Sequence, residues 1–232
     1  MPTLTNRDGV HVLHLGEDEN RFTHDWLSSF EKALDQVVES PAPLVTVAEG
    51  KFYSNGLDLE WVMANLNELQ TYTRRVEALL ARVLTLPVPT VAAVSGHAFG
   101  AGAMLATGHD WRVMRANRGY FCFPEVDINI PFTPGMAALI QAKLNPHTAI
   151  TAMTTGHRFT GTTALEAGLV DDVADESDLL TTAIAKVSSL AGKDPKTLGA
   201  IKATMFATAV ERLTPPRPDD QPGRQSLEPD TL

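Results

Sequence analysis

Two stretches of this 232-residue chain carry a short strand through glycine into the start of a helix. In the first, the apolar run Pro89-Thr-Val-Ala-Ala-Val94 empties through Ser95-Gly96 into a Gly-rich turn and an Ala-rich segment. In the second, Phe52-Tyr53-Ser54-Asn55-Gly56 leads into Leu57-Asp58-Leu59. A helix that starts at such a junction leaves backbone N–H groups without intrahelical partners, pointing outward. Those groups can hold an anion, or an oxygen that becomes one during a reaction. Gly96, Gly100 and Gly102 carry no Cβ to keep a ligand off the backbone. A turn of this composition serves equally to pack a helix close against a sheet, so the residues alone leave both roles open. Asp58 falls in the first turn of its helix, where a carboxylate complements the helix dipole.

Other chemistries have no residues to carry them. The Gly-rich spelling at 96–102 is not a dinucleotide fingerprint, no Walker lysine follows a glycine turn, and no Gly-x-Ser-x-Gly elbow occurs. Ser54 and Ser95 lack a histidine partner in the sequence, and the seven histidines show no metal-ligand spacing, so no metal is expected. A net charge of −9 argues against nucleic acid or an anionic membrane as partner. The single Cys122 excludes an internal disulfide framework. No apolar run reaches the roughly 18 residues of a membrane span. The first residues show no leader pattern and the last three are Asp-Thr-Leu, so a cytoplasmic location is expected.

The elements that must position the two junctions follow from hydrophobic periodicity and breakers. Strands are predicted at 10–15, 44–47, 111–115 and 119–123. Helices are predicted at 23–39, 71–86, 101–107, 136–143, 146–154, 178–190 and 195–213. Thr163-x-x-Glu166 has the spacing of a capping box, and 169–173 reads as a strand-like exit. Strands and helices alternate through two-thirds of the chain and helices fill the rest. This predicts an α/β protein with parallel strands in right-handed crossovers. The expected organisation is a core over 1–160, a helical region over 161–213 and a disordered tail over 214–232, where prolines and charges replace any apolar period.

Four segments in order resemble the crotonase superfamily, the enoyl-CoA hydratase/isomerase family. They are Lys51-Phe-Tyr-Ser-Asn-Gly-Leu-Asp-Leu59, Ala92-Ala-Val-Ser-Gly-His-Ala-Phe-Gly-Ala-Gly102, Phe121-Cys-Phe-Pro-Glu-Val126 and Glu166-Ala-Gly-Leu-Val-Asp171. The resemblance implies a ββα spiral with two near-perpendicular sheets and a C-terminal helical region that builds homotrimers or hexamers. It implies an acyl-CoA thioester as ligand, with coenzyme A part of the substrate and no separate cofactor. It places an oxyanion hole at the Leu57 and Ala101 amides. Asn55, Gly56, Gly100, Met104 and Trp61 are the substrate-binding residues expected beside it.

The family's hydratases carry two carboxylates, and here the first position reads Met104 while the second is Glu125. Water addition needs a base and an acid; a double-bond shift needs one group that takes a proton from C2 and returns it at C4. The solitary Glu125 fits that scheme, and the segments are similar to Δ3,Δ2-enoyl-CoA isomerases of the plant peroxisomal type. The alternatives are a hydratase-type lyase and a non-catalytic acyl-CoA-binding relative. Phe121, Phe123, Val126, Ile128, Ile130, Phe132 and Met104 form an apolar set around Glu125 that would raise its pKa above the usual ~4.3. A plain hydrophobic core has the same composition. Asp127 reads as an exposed loop aspartate. Trp61, Met63 and Leu66 either line an acyl tunnel or pack on the sheet. Lys51, Arg21 and Lys202, the candidates for coenzyme A phosphates, read as solvated surface charges.

Overall fold

The computed structural model describes residues 1–216. The expected tail at 214–232 lies almost wholly outside the described residues. The elements are β1 (Thr3–Arg7), β2 (Val10–His14), α1 (His24–Glu39), β3 (Leu44–Val47), β4 (Phe52–Ser54), α2 (Leu59–Ala64), α3 (Leu69–Leu84), β5 (Thr90–Val94), β6 (His97–Phe99) and α4 (Ala101–Gly108). They continue as β7 (Trp111–Arg115), β8 (Phe121–Cys122), α5 (Pro134–Lys143), α6 (Pro146–Thr155), α7 (Gly161–Glu166), β9 (Asp172–Ala174), α8 (Leu179–Ser188), α9 (Pro195–Met205) and α10 (Ala207–Leu213). No helix among the described residues is long and apolar enough to cross a membrane.

The strands form two sheets, one of six strands in the order β1-β2-β3-β5-β7-β9 and one of three in the order β4-β6-β8. Apart from the antiparallel β1–β2 hairpin, every pairing is parallel. Three times in succession a strand joins the large sheet and the next joins the small one: β3 then β4, β5 then β6, β7 then β8. This repeat is the ββα spiral. The inner strands β2, β3, β5 and β7 of the large sheet are buried, because both faces are covered there. Val45, Val47, Val91, Ala93 and Val113 pack on Leu179, Ala183 and Val187 of α8. The alternate residues Leu44, Ala92, Val94 and Met114 join the main core. Helix α1 is capped by Thr23, whose hydroxyl accepts from the Trp26 amide, and it buries Trp26, Leu27, Phe30, Leu34 and Val37 at helical spacing.

Several boundaries differ from the sequence reading. The capping box belongs to Thr160, with Thr163 as its N3 residue, so α7 starts three residues earlier. The single helix expected over 195–213 is interrupted at Phe206, which turns inward and is 8% exposed. Asp58 caps α2 from outside, its carboxylate accepting from the Trp61 amide, rather than sitting in the first turn. Residues 161–213 do not stand apart from 1–160: β9 is an edge strand of the large sheet, α8 covers that sheet, and α10 packs on α3 and α5. Strands β1 and β6 escape the sequence pattern. The first is polar and mostly exposed, and the second is three residues between glycines.

The small sheet positions the two Gly junctions. Ser54 pairs with Ala98, and Ala98 pairs with Phe121. The strands are parallel, with a register shift in β4 between Phe52 and Ser54, so the segments after β4, β6 and β8 leave the sheet on one side. Leu57 and Ala101 each lie three residues beyond the paired Ser54 and Ala98. The junctions touch through backbone. A Cβ on Gly56 (φ 74°) would lie 2.8 Å from the Ala101 nitrogen, and one on Gly102 would lie 2.3 Å from the Ser54 carbonyl oxygen. Both positions therefore require glycine. A Gly102→Ala substitution is expected to destabilise the fold by about 1–3 kcal/mol, the usual penalty of overpacking. Chemical denaturation of the variant checks this, and an unchanged midpoint would show that the junctions can separate freely.

Candidate active site

Side chains buttress the first junction. Asn20, itself buried at φ 49°, donates from Nδ2 to the carbonyls of Phe52 and Tyr53 at 3.1 Å each. Ser54 Oγ donates to the Asn20 carbonyl at 2.7 Å and accepts from the Gly56 amide at 3.1 Å. Tyr72 Oη accepts from the Asp58 amide and donates to the Phe22 carbonyl, which ties the start of α2 to α3. At the second junction the Gly100 amide donates to the Cys122 carbonyl, and the chain turns at φ 52° into α4. The Leu57 and Ala101 amides donate to no group among the described residues.

Leu57 and Ala101 both line a cavity of about 230 Å3. Asn55, Gly100 and Glu125 line the same cavity, so the structure brings together five of the eight residues singled out from sequence. Gly56 sits behind the lining, in backbone contact with the Ala101 turn. Met104 is 1% exposed within the core, and Trp61 packs against the rings of His24 and Tyr72. Neither Met104 nor Trp61 lines the cavity, because α4 turns Met104 into the core and α2 turns Trp61 towards α3.

Glu125 follows β8 and is 8% exposed. Its Oε2 has no hydrogen-bond partner among the described residues. Its Oε1 lies 3.4 Å from where a Cβ on Gly100 would stand, so the carboxyl abuts the turn that presents the Ala101 amide. Burial pushes the Glu125 carboxyl up to about 7, opposed only by a bond from its own backbone amide. Among the described residues no other carboxylate lines the cavity. Asp127 is exposed, as expected, and lies against Gly156 at the end of α6. Of the apolar set around Glu125, Ile128 and Ile130 line the cavity while 45% and 40% exposed; Phe121 and Phe123 belong to the core, and Val126 faces outward at 48%.

Sequence reasoning missed part of the lining. Arg21, set aside as a surface charge, lines the cavity, pairs with Glu19 at 2.5 Å and donates to the Leu57 carbonyl at 3.4 Å. Arg158 also lines it, with its guanidinium over the Phe99 ring at 5.8 Å. Arg158 arrives there because Phe159 bridges to Phe121 beside β8, a pairing across distant segments that no local pattern announces. Lys202 is buried elsewhere, on Asp110, and Lys51 lies over the Phe52 ring. No group of three or more His, Cys, Asp or Glu side chains among the described residues is arranged to hold a metal ion.

A cavity built at paired Gly junctions of a two-sheet ββα spiral defines a crotonase-type protein. The model of the family described as enoyl-CoA hydratase/isomerase matches residues 5–221, and the chain belongs to that family. It is 34% identical over 224 residues to enoyl-CoA delta isomerase 3 of Arabidopsis thaliana, covering 92% of this chain and 93% of that one. It is 34% identical over 189 residues to the peroxisomal enoyl-CoA delta isomerase 2 of the same plant, covering 77% and 79%. Among solved structures, a Pseudomonas syringae enoyl-CoA hydratase/isomerase family protein shares the fold at TM-score 0.86 and 23% identity, over 91% of this chain and 93% of that one. Human mitochondrial Δ3-Δ2-enoyl-CoA isomerase shares it at TM-score 0.83 and 20% identity, over 91% and 85%.

The buried carboxyl makes a stability prediction. Its folded-state pKa lies above the unfolded value, so it contributes stability that is present in acid and lost as pH rises through about 7. Between pH 5 and pH 8 the wild type should lose on the order of 2 kcal/mol that Glu125→Gln does not lose. Denaturant titrations of both proteins at the two pH values read the difference. A stability gap that does not change with pH would mean the carboxyl is solvated in the folded state.

Proposed function

We propose that this enzyme shifts the double bond of a 3-enoyl-CoA to give the trans-2-enoyl-CoA, with Glu125 as the single base. The observation that carries the proposal is a buried carboxyl with a free oxygen, sharing one cavity with two unpartnered main-chain amides. The thioester carbonyl accepts from Leu57 and Ala101. Glu125, ionised, removes a proton from C2, and the amides stabilise the dienolate oxygen; losing one such donor typically costs about 3 kcal/mol. The protonated carboxyl then returns the proton at C4. A pKa near 7 suits a group that must take and give one proton at neutral pH.

The absence of a second carboxylate from the described lining favours isomerisation over hydration, because water addition asks for a separate acid and base. The named isomerase relatives support the same activity. The substrate carries its own coenzyme A, so no further cofactor is invoked. A homotrimer or hexamer is the proposed assembly, with Ile201 and Met205 on α9, 50% and 67% exposed, as apolar surface available to a neighbouring copy.

Glu125→Gln is expected to lower kcat for 3-enoyl-CoA isomerisation by about 10²–10⁴-fold with little change in KM. Met104→Ala should keep a good part of the activity. A panel of enoyl-CoA isomers assayed for isomerisation and hydration tests this directly. Hydration at rates comparable to isomerisation would favour the lyase, and acyl-CoA binding without turnover on any isomer would leave a binding protein. In the wild type, kcat/KM should climb with pH through about 7 as the free enzyme's base ionises, then level off.

A further inference from the structure

One hydroxyl oxygen joins the two main-chain segments that hold the Leu57 amide. Residues 19–22 run beside the first Gly junction. The Asn55 amide donates to the Glu19 carbonyl and the Phe22 amide to the Gly56 carbonyl, each at 2.8 Å. The Gly56 carbonyl and the Leu57 N–H belong to one peptide, and no peptide among the described residues is cis. In a trans peptide the C=O and the N–H point opposite ways. By fixing the Gly56 carbonyl, the Phe22 amide therefore fixes the direction of the Leu57 N–H. Tyr72 grips both ends of this unit. Its Oη donates to the Phe22 carbonyl at 2.9 Å and accepts from the Asp58 amide, one residue past Leu57, at 3.0 Å. Neither group has another partner among the described residues.

Granted the donor role proposed above for Leu57, we propose that Tyr72 is its positioning residue, setting the direction of that amide through Phe22 and Asp58. Tyr72 is 1% exposed and does not line the cavity, so it acts through the main chain and not on the substrate. The task needs one side-chain atom that both donates and accepts, which a hydroxyl supplies. Phenylalanine would fill the same space and do neither. The rings of Trp61 and His24, with centroids 5.4 and 5.9 Å away, hold the phenol in place. Burial pushes the phenol up to about 12, so it keeps its proton for the Phe22 carbonyl near neutral pH.

Tyr72→Phe removes the oxygen alone. Cinnamoyl-CoA, a conjugated thioester with no proton to lose at C4, is the probe, because donors on its carbonyl polarise it and move its absorption to longer wavelength. The full-length wild type should shift the band, and Tyr72→Phe should cut that shift by at least half. Its kcat for 3-enoyl-CoA isomerisation should fall about tenfold, less than the roughly 10²–10³-fold lost with a whole donor, while KM changes less than threefold. Should Tyr72→Phe fail to fold, Asp58→Pro decides, since Asp58 has a φ of −78° that suits proline, which carries no amide hydrogen for the hydroxyl. It should cut the shift, whereas Asp58→Ala, which removes the α2 cap alone, should keep it. A lowered denaturation midpoint with the wild-type band shift and kcat would mean that Tyr72 only supports the fold, and would overturn the proposal. So would a wild type that binds the probe without any shift. A wild type that shifts the band yet isomerises no 3-enoyl-CoA would overturn the proposed reaction alone, and the band would still decide for or against Tyr72.

Discussion

The contact on which the site depends is between two pieces of main chain. The carbonyl of Ser54 and the backbone at Gly102 approach so closely that a methyl group at Gly102 would collide with the oxygen, and Gly56 is as tightly set against the Ala101 turn. Two helix starts normally stand apart by the width of their side chains. Removing Cβ at both crossing points lets Leu57 and Ala101, at the starts of two helical segments, border one small cavity. The register of β4, β6 and β8 sets the level at which they meet, and Asn20 and Ser54 hold the first segment in place.

Against this rigid pair stands a deliberately unsatisfied group. Ser95 Oγ is the other buried side-chain atom without a partner among the described residues, whereas Tyr53 Oη, Thr46 Oγ1 and His109 Nε2 form a chain with spacings of 2.8 and 3.0 Å, closed by His109 Nδ1 on the Leu105 carbonyl. His109 is held down to about 4 by burial and stays neutral there. Glu125 is buried to a similar degree but leaves one oxygen without a partner. Stability is surrendered at that oxygen, since a buried acceptor without a partner keeps its desolvation cost. Neither Arg21 nor Arg158 compensates it, although both reach the same cavity.

The C-terminal third is bound to this arrangement by charge as well as packing. Lys202 on α9 reaches into the start of the large sheet and meets Asp110 and the Val88 carbonyl, a buried pair satisfied on both sides. Helix α8 seals the outer face of that sheet, and α10 rests on α3 and α5. The break at Phe206 is what lets α10 turn back onto the core and places an aromatic ring beneath Lys143.

Much of this was legible in the order of residues. The periodicity of α1 and α3, the apolar runs of β3, β5 and β7, the two Gly junctions and the isolated glutamate after an aromatic strand are all local patterns, and local patterns survive in a linear text. The Phe206 break, the true cap of α7 and the strand β6 were lost because each is decided by what packs beside it. The same holds for function. The resemblance pointed to Leu57, Ala101 and Glu125, and all three line one cavity. It could not say that Met104 and Trp61 turn away from the cavity, nor that Arg158 joins it through Phe159 and Phe121. Which side of a helix faces a hollow, and which distant segment closes it, depends on register between strands far apart in the chain, and only the folded backbone sets that register.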